Sequence, residues 1–418
     1  LRPLRYAMVI NKYFKVFLII AGIFYAYTSA RNAHDFEVFV DAGGKIIQGK
    51  NIYAPPFAQG LQYYYSPLFA LLLAPLSGLP IIISQLLWLT VSYFLLYRIW
   101  QLVAVYFDVT QFSKKQLQLW FIISLLLSIR FILVDVGYVQ MTIFMLWATL
   151  ESIQLINRGR NIPGAALLAL AINIKLLPLA FVFYLVYRNK LKAASFTCVF
   201  YLIYLFIPAL YLGWQRNLDL VHNWFTLLNP GNKEWTVEAE DGPSSLVALI
   251  PVYLMATTGV LSFKRNFLNL PFQQVSLILN IVRLCVVLLT LAFLRTWPFK
   301  AVKSTLRQFW EMSYIFIAVP LLYPHQQQYA FVYIIPAFVY LSYYFIKNWE
   351  VVKQKMSIPL WIILFIIGVN FSPIIGRDVI SSHAFEVLLY LRILPIAVLM
   401  LIPILWICRP KDELAADQ

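Results

Sequence analysis

Carboxylates are scarce in this chain, 18 Asp and Glu among 418 residues, yet three of them fall in Asp35-Phe-Glu-Val-Phe-Val-Asp41, directly after an apolar run. A carboxylate at a water–membrane boundary can take a proton from a reacting hydroxyl. A charge placed beside a membrane is costly enough to count as a functional-site hypothesis by default. On a helix the three separate. Glu37, Asp41 and Lys45 share one face at i, i+4 and i+8, with acid before base, and read as a solvated stripe. Asp35 lies off that stripe at the helix start, where it serves equally well as an N-cap or as a base. Lys175, in Ala171-Ile-Asn-Ile-Lys-Leu-Leu-Pro178, has apolar neighbours on both sides. It either snorkels or meets an anionic lipid head group or phosphate. His325 follows Pro324 in a turn that also holds Gln326 and two more glutamines, and is either solvated or functional. Gln140, Ser244 and Ser245 are weaker candidates. No metal-ligand spacing, phosphate loop or Ser/His/Asp order stands out, so neither a metal nor a cofactor is expected. Cys198, Cys285 and Cys408 sit in apolar runs and read as small hydrophobes.

The elements that must hold these residues are membrane helices. Hydrophobic residues make up 61% of the chain, well above a soluble composition. A formal net charge of +15 would suggest nucleic acid in a soluble protein. Here the Lys and Arg residues occupy short loops between apolar runs, the orientation signal of a polytopic protein, and a nucleic-acid partner is excluded. The run 13–29 follows Arg2, Arg5, Lys12 and Lys15, which places its start in the cytoplasm and Asp35 outside. It also resembles a signal peptide with Thr28-Ser-Ala30 as a cleavage site, and the many spans that follow favour an uncleaved anchor. The chain begins at Leu, which makes Met8 a candidate start. Basic loops at 295–307, 347–355 and 409–411 are expected inside, so 323–328 and 372–383 are outside. Residues 66–80, short and carrying Pro67 and Pro75, and 244–261, broken at Pro251, are expected as outer surface helices. The run 162–187 has basic residues at both ends. It is expected as two short helices meeting near Lys175 at the outer face. The fold class is therefore all-α and polytopic, with about twelve transmembrane helices plus outer-face juxtamembrane helices and both termini cytoplasmic. Three regions are expected: 1–213 with a first outer loop at 30–80, an outer loop with a surface helix at 214–271, and a second transmembrane module at 272–418.

These features together resemble glycosyltransferase family 87, of the GT-C class of integral-membrane glycosyltransferases. The most specific part is Asp35-Phe-Glu-Val-Phe39, Gly49-Lys-Asn-Ile-Tyr53, then Tyr65-Ser-Pro-Leu-Phe-Ala-Leu-Leu-Leu-Ala-Pro75 and Leu79-Pro80. Gly137 with Gln140, Lys175 with Pro178, Ser244-Ser-Leu246 and His325 match further. Two departures are Gly137-Tyr-Val-Gln140, where the family commonly has Gly-Gln-x-Asn, and Gly242-Pro-Ser-Ser-Leu246, where it has Asn-Gln-Ser-Leu. They leave the donor sugar and the acceptor open.

The resemblance implies a GT-C catalytic module in 1–213, facing the periplasm of a bacterial inner membrane. It implies a monomer working on membrane lipid. The donor would be a polyprenyl-phosphate sugar, mannose-like, and the acceptor a glycan or glycolipid hydroxyl. Asp35 would be the base and Lys175 the partner of the donor phosphate. His325 would orient the acceptor or assist the phosphate, with Gln140, Tyr65, Ser244, Ser245 and Gln326 as substrate-binding positions. Attack opposite the phosphate would invert the anomeric centre. The rival class is a lipid or polysaccharide transporter, which would show inverted repeats with discontinuous helices; no convincing repeat is present.

Overall fold

The computed structural model describes residues 12–32, 35–229, 232, 236–240, 242–302, 304–376 and 379–410. Met8, Arg2, Arg5, Lys303 and Lys411 lie outside them. Every regular element among the described residues is helical. The first helix, α1 (Lys12–Asn32), is continuous through Thr28-Ser-Ala30 and presents large apolar side chains such as Phe17, Ile20 and Phe24 outward. A short helix, α2 (Asp35–Ile47), then lies on α3 (Pro67–Leu73) and the turn Ala74–Gly78. Ser66 caps α3 by accepting from the Phe69 amide at 3.2 Å, with Pro67 pre-set for the first helical position. Gly43 permits the contact with α2: a Cβ there would stand 3.0 Å from the Ala74 backbone. Residues 66–80 thus form a helix and turn packed under α2.

Four helices follow: α4 (Ile81–Ala104), α5 (Lys114–Gly137), α6 (Thr142–Asn157) and α7 (Asn161–Ile174). Ser113 and Gln116 close a capping box on α5. Arg98 of α4 grips Glu151 of α6 with two bonds, 2.7 and 2.8 Å, the bidentate geometry a guanidinium makes best. The α6–α7 hairpin closes on Gly164, where a Cβ would lie 2.8 Å from the Ser152 carbonyl oxygen. Beyond Lys175, the 3-10 turn Leu177–Leu179 leads into α8 (Ala180–Tyr187), and α9 (Leu191–Phe206) packs along α7. Next are α10 (Ala209–Leu212), the amphipathic α11 (Trp214–Leu227) and α12 (Leu246–Leu254).

The C-terminal part comprises α13 (Phe272–Leu294), α14 (Thr305–Leu322), α15 (Ile335–Lys347) behind the 3-10 stretch Gln328–Ile334, α16 (Trp349–Lys355), α17 (Ile358–Phe371), α18 (Ser382–Tyr390) and α19 (Ile393–Ile407). The stretch Gln328–Lys347 is almost wholly buried and packs on α5 and α14, forming the centre of the molecule.

Six helices are long and apolar enough to cross a membrane, seven if α18 and α19 count as one bent span, among the described residues. Four shorter apolar helices, 67–78, 161–174, 177–187 and 358–371, accompany them. Two expected elements differ. The surface helix expected over 244–261 runs only from Leu246 to Leu254 and passes through Pro251 instead of breaking there. A proline inside a helix removes one amide, and the carbonyl that loses its partner, Val247, accepts instead from the Glu238 amide at 3.4 Å. The span expected over 385–408 bends by 60° between α18 and α19. Arg392 sits at that bend with φ +50°; it is buried, and its guanidinium donates to the carbonyls of Glu238, Ala239 and Glu240.

The hairpins sort the loops onto two ends of the bundle. From Thr142 to Asn157, α6 is 16 residues, about 24 Å at 1.5 Å per residue. At its far end Asn157 and Gln308 exchange side-chain bonds of 3.1 and 3.2 Å. There too Arg188 reaches Glu311 (2.6 Å), Thr296 (2.6 Å) and the Leu294 carbonyl (3.0 Å). The loops carrying Arg158, Arg160, Arg188 and Arg295 therefore share one end. The start of α6 belongs to the other, together with Lys175 and the turn after α14.

Candidate active site

Asp35 is the first residue of α2, which rolls into place because Phe36 and Phe39 bury against Trp88, Tyr65 and Phe69. That roll turns Asp35 toward the α5–α6 turn. There the Gln140 amide donates to Asp35 Oδ2 at 2.5 Å. Gln140 is itself fixed from both sides: its carbonyl accepts from Trp88 Nε1 at 3.0 Å and its N–H donates to the Asp135 carbonyl at 2.9 Å. Val139, with φ +49°, makes the turn that aims it. On the other face of α2, Asp41 pairs with Lys45 at 2.7 Å and Glu37 accepts from Gln59 at 2.6 Å. The stripe and Asp35 are thus in different surroundings.

Lys175 sits in extended backbone at the end of α7 (φ −150°, ψ 137°). Its position is set by Asn173, whose amide oxygen accepts from Ser66 Oγ at 2.7 Å in a buried contact. This bond ties the end of α7 to the cap of α3 and so to the platform beneath α2. The Lys175 ammonium lies 5.8 Å from the centroid of the Tyr329 ring, a cation–π distance. Asp35, Asp135 and Glu238 are the carboxylates whose charge acts on it. Tyr65 is buried beneath α2, edge-on to Phe39 with centroids 4.8 Å apart, and its phenol lies within the field of Asp35.

His325 occupies the turn after α14 with φ +54°, a conformation a residue with a Cβ holds only when its surroundings impose it. Its ring stacks on Tyr64 at 5.5 Å and 28°. Tyr64 is pinned in turn by Trp224 of α11, whose Nε1 donates to the Tyr64 carbonyl at 3.0 Å. Ser244 and Gln326 join two turns, the Ser244 amide donating to the Gln326 carbonyl at 2.7 Å. The Gln326 amide goes to its own turn, onto the Pro324 carbonyl at 2.6 Å. Ser245 stands at the cap position of α12 without making a side-chain cap bond.

Two carboxylates that sequence reasoning passed over belong to the same end. Asp135, in the last turn of α5, is 1% exposed. Its carboxylate faces the hydroxyl and amide of Thr142 and the amide of Ile143 at the start of α6, although neither oxygen makes a hydrogen bond of good geometry. Its signal in the sequence is an acid inside a long apolar run. Glu238, buried at 4% exposure, holds His325. Its signal is weaker, since Glu234, Glu238, Glu240 and Asp241 crowd one short outer stretch as any solvated loop might.

The arrangement puts a carboxylate that accepts from Gln140, with a cation in its field, at one end of an all-helical bundle of membrane-spanning character. The glycosyltransferase family 87 model matches residues 63–324, well over half the chain, and the chain belongs to that family. It is thus a membrane glycosyltransferase, which decides between the enzyme and the transporter. Neither the curated proteins nor the solved structures compared with it give a match.

Proposed function

We propose that this glycosyltransferase moves a sugar, mannose in the favoured case, from a polyprenyl-phosphate donor to a hydroxyl of a lipid-linked or glycan acceptor, outside the cytoplasmic membrane of a bacterium. In this reading it is a monomer of the GT-C fold with about twelve spans and both termini in the cytoplasm. The long spans α1, α4, α5, α9 with α10, α13 and Gln328–Lys347 are joined by shorter helices that cross in pairs or lean on the bundle.

The observation that carries the reading is the Asp35–Gln140 contact beside Lys175. A carboxylate offers about four lone-pair sites, so it can accept more than the one hydrogen bond from Gln140. In the reaction the acceptor oxygen attacks the anomeric carbon, forming the new C–O bond, while the C–O bond to phosphate breaks and its electron pair passes to the phosphate oxygen. The hydroxyl proton goes to Asp35. The growing phosphate charge is met by the Lys175 ammonium, preorganised by the Ser66–Asn173 bond. Backside attack in one step inverts the anomeric centre.

The test is mass spectrometry of lipid-linked products after the reconstituted enzyme meets a panel of polyprenyl-phosphate sugars and acceptors, with Asp35→Asn and Asp41→Asn alongside. Asp35→Asn keeps volume and much of the capping ability while removing basicity. Turnover should fall by about two to four decades. Asp41→Asn loses a half-buried i, i+4 pair worth a few tenths of a kcal/mol, roughly the value for helix pairs, and should turn over normally. Near-native transfer by Asp35→Asn with none by Asp41→Asn would move the base to Asp41.

A further inference from the structure

We infer that Glu238 is a positioning residue for His325, one that fixes which ring nitrogen carries the proton and so commits His325 to orienting the acceptor through a hydroxyl other than the attacking one. The inference rests on the proposed transfer reaction for its functional half and on geometry alone for its structural half. Glu238 Oε1 lies 2.9 Å from His325 Nδ1 and accepts from the His325 backbone amide at 2.5 Å. One buried carboxylate oxygen thus holds both the ring and the main chain of a residue in a left-handed conformation.

The main chain that carries Glu238 is itself held in three ways. The Glu238 amide is taken by the Val247 carbonyl that Pro251 leaves open. Its carbonyl accepts from Arg392 at 3.3 Å, and the next carbonyl, that of Ala239, accepts from Arg392 at 3.1 Å and from Arg265 at 2.9 Å. Two buried arginines therefore anchor the strand of chain on which Glu238 sits. Burying guanidinium groups to fix a stretch of main chain is costly, and here it sets where the Glu238 carboxylate stands.

The chemistry follows from the ring. A carboxylate has lone pairs and no proton to give, so the nitrogen facing it, Nδ1, must be the one that bears hydrogen. In the neutral imidazole Nε2 is then the acceptor nitrogen, suited to the hydrogen of a second hydroxyl on the acceptor, beside the one whose proton goes to Asp35. The phosphate side of the reaction calls for donors, and Lys175 supplies them.

The experiment uses the full chain in nanodiscs with ¹⁵N-labelled histidine, of which there are four, and His325→Asn to assign the signals. The wild-type His325 should show a protonated Nδ1 and a bare Nε2. Glu238→Leu, with no acceptor, should lose that pattern, and Glu238→Gln, whose amide oxygen still accepts, should restore it. A wild-type spectrum with the proton on Nε2 alone, or an unchanged pattern in Glu238→Leu, overturns the inference, and the first of these does so even if Glu238→Leu fails to fold. In transfer assays with octyl mannoside as acceptor and a short-chain polyprenyl-phosphoryl mannose as donor, Glu238→Leu should raise the acceptor KM about tenfold, the loss expected for one oriented hydrogen bond, with donor binding unchanged. A loss of donor binding instead would assign His325 to the phosphate and overturn the functional half. Absence of transfer by the wild type, with the nitrogen pattern as expected, would count against the transfer reading and leave the structural half standing.

Discussion

Replacing Gln140 with Leu removes one donor and little volume, and its consequence can be worked from the site. The Gln140 amide is the side chain that donates to Asp35 Oδ2, at 2.5 Å, and Gln140 is buried. Its main chain is held separately by Trp88 and by the Asp135 carbonyl, so the turn should survive the change. A hydrogen bond to a charged acceptor contributes about 1.5–3 kcal/mol. At about 1.4 kcal/mol per decade, losing the bond that aims the base should slow turnover by roughly ten- to a hundredfold. The assay is single-turnover sugar transfer by four reconstituted proteins: wild type, Gln140→Leu, Asp35→Asn and the double variant. If Gln140 acts through Asp35, its removal from the Asp35→Asn protein should cost almost nothing further, leaving a coupling nearly as large as the single effect. Equal fold-losses in both backgrounds would mean that Gln140 serves the substrate directly and that the contact with Asp35 is incidental.

Lys175→Gln should weaken binding of polyprenyl phosphate by tenfold or more, taking about 1.5–3 kcal/mol for a charge-assisted contact, whereas Lys192→Gln, at the other end of the bundle, should bind as wild type; equal affinities in isothermal titration would return Lys175 to a snorkelling role. Glu311→Gln should lower stability by about 3–5 kcal/mol, because it leaves two buried guanidinium groups without their shared carboxylate. Arg188 and Arg307 approach Glu311 at 2.6 and 3.2 Å with all three side chains almost fully buried. Thermal unfolding in detergent reads this directly, and a melting temperature equal to wild type would show that the triad adds no net stability.

Helical periodicity carried some of this site into view and was blind to the rest. The separation of Asp35 from Glu37, Asp41 and Lys45 needs only the angle per residue, which is why the Asp41–Lys45 pair and the Asp35–Gln140 contact lie on different faces of α2. Charge on both flanks of 162–187 was enough to require a break, and the break falls at Lys175, between α7 and the turn Leu177–Leu179. What could not be read depends on contacts across the fold. Nothing local distinguishes Glu238 from the other acids of its loop, since its role arises where α12, α19 and the turn after α14 converge. The same holds for Pro251. Its missing amide predicts a helix end, and only the nearby Glu238 amide explains why α12 continues through it. The 60° bend before α19 is likewise set by distant carbonyls acting on Arg392.

The boundaries of the family match sharpen what the middle of the chain contributes. Residues 63–324 contain neither Asp35 nor His325, the two residues that the proposed reaction assigns to the acceptor. They do contain what holds each of them: Gln140 and Trp88 for Asp35, Glu238 and Tyr64 for His325, with Lys175 between. A frame that supplies the holders limits where the reacting groups can stand, because a base displaced by even 1 Å from its productive geometry forfeits much of its effect. The flanking segments then need only deliver a carboxylate at the start of α2 and an imidazole after α14. Within this arrangement the Ser66–Asn173 bond has a particular weight. It is a buried polar link between the platform that carries Asp35 and the helix end that carries Lys175, so under the proposed reaction it couples the position of the base to that of the cation, the spacing a sugar flanked by hydroxyl and phosphate must match.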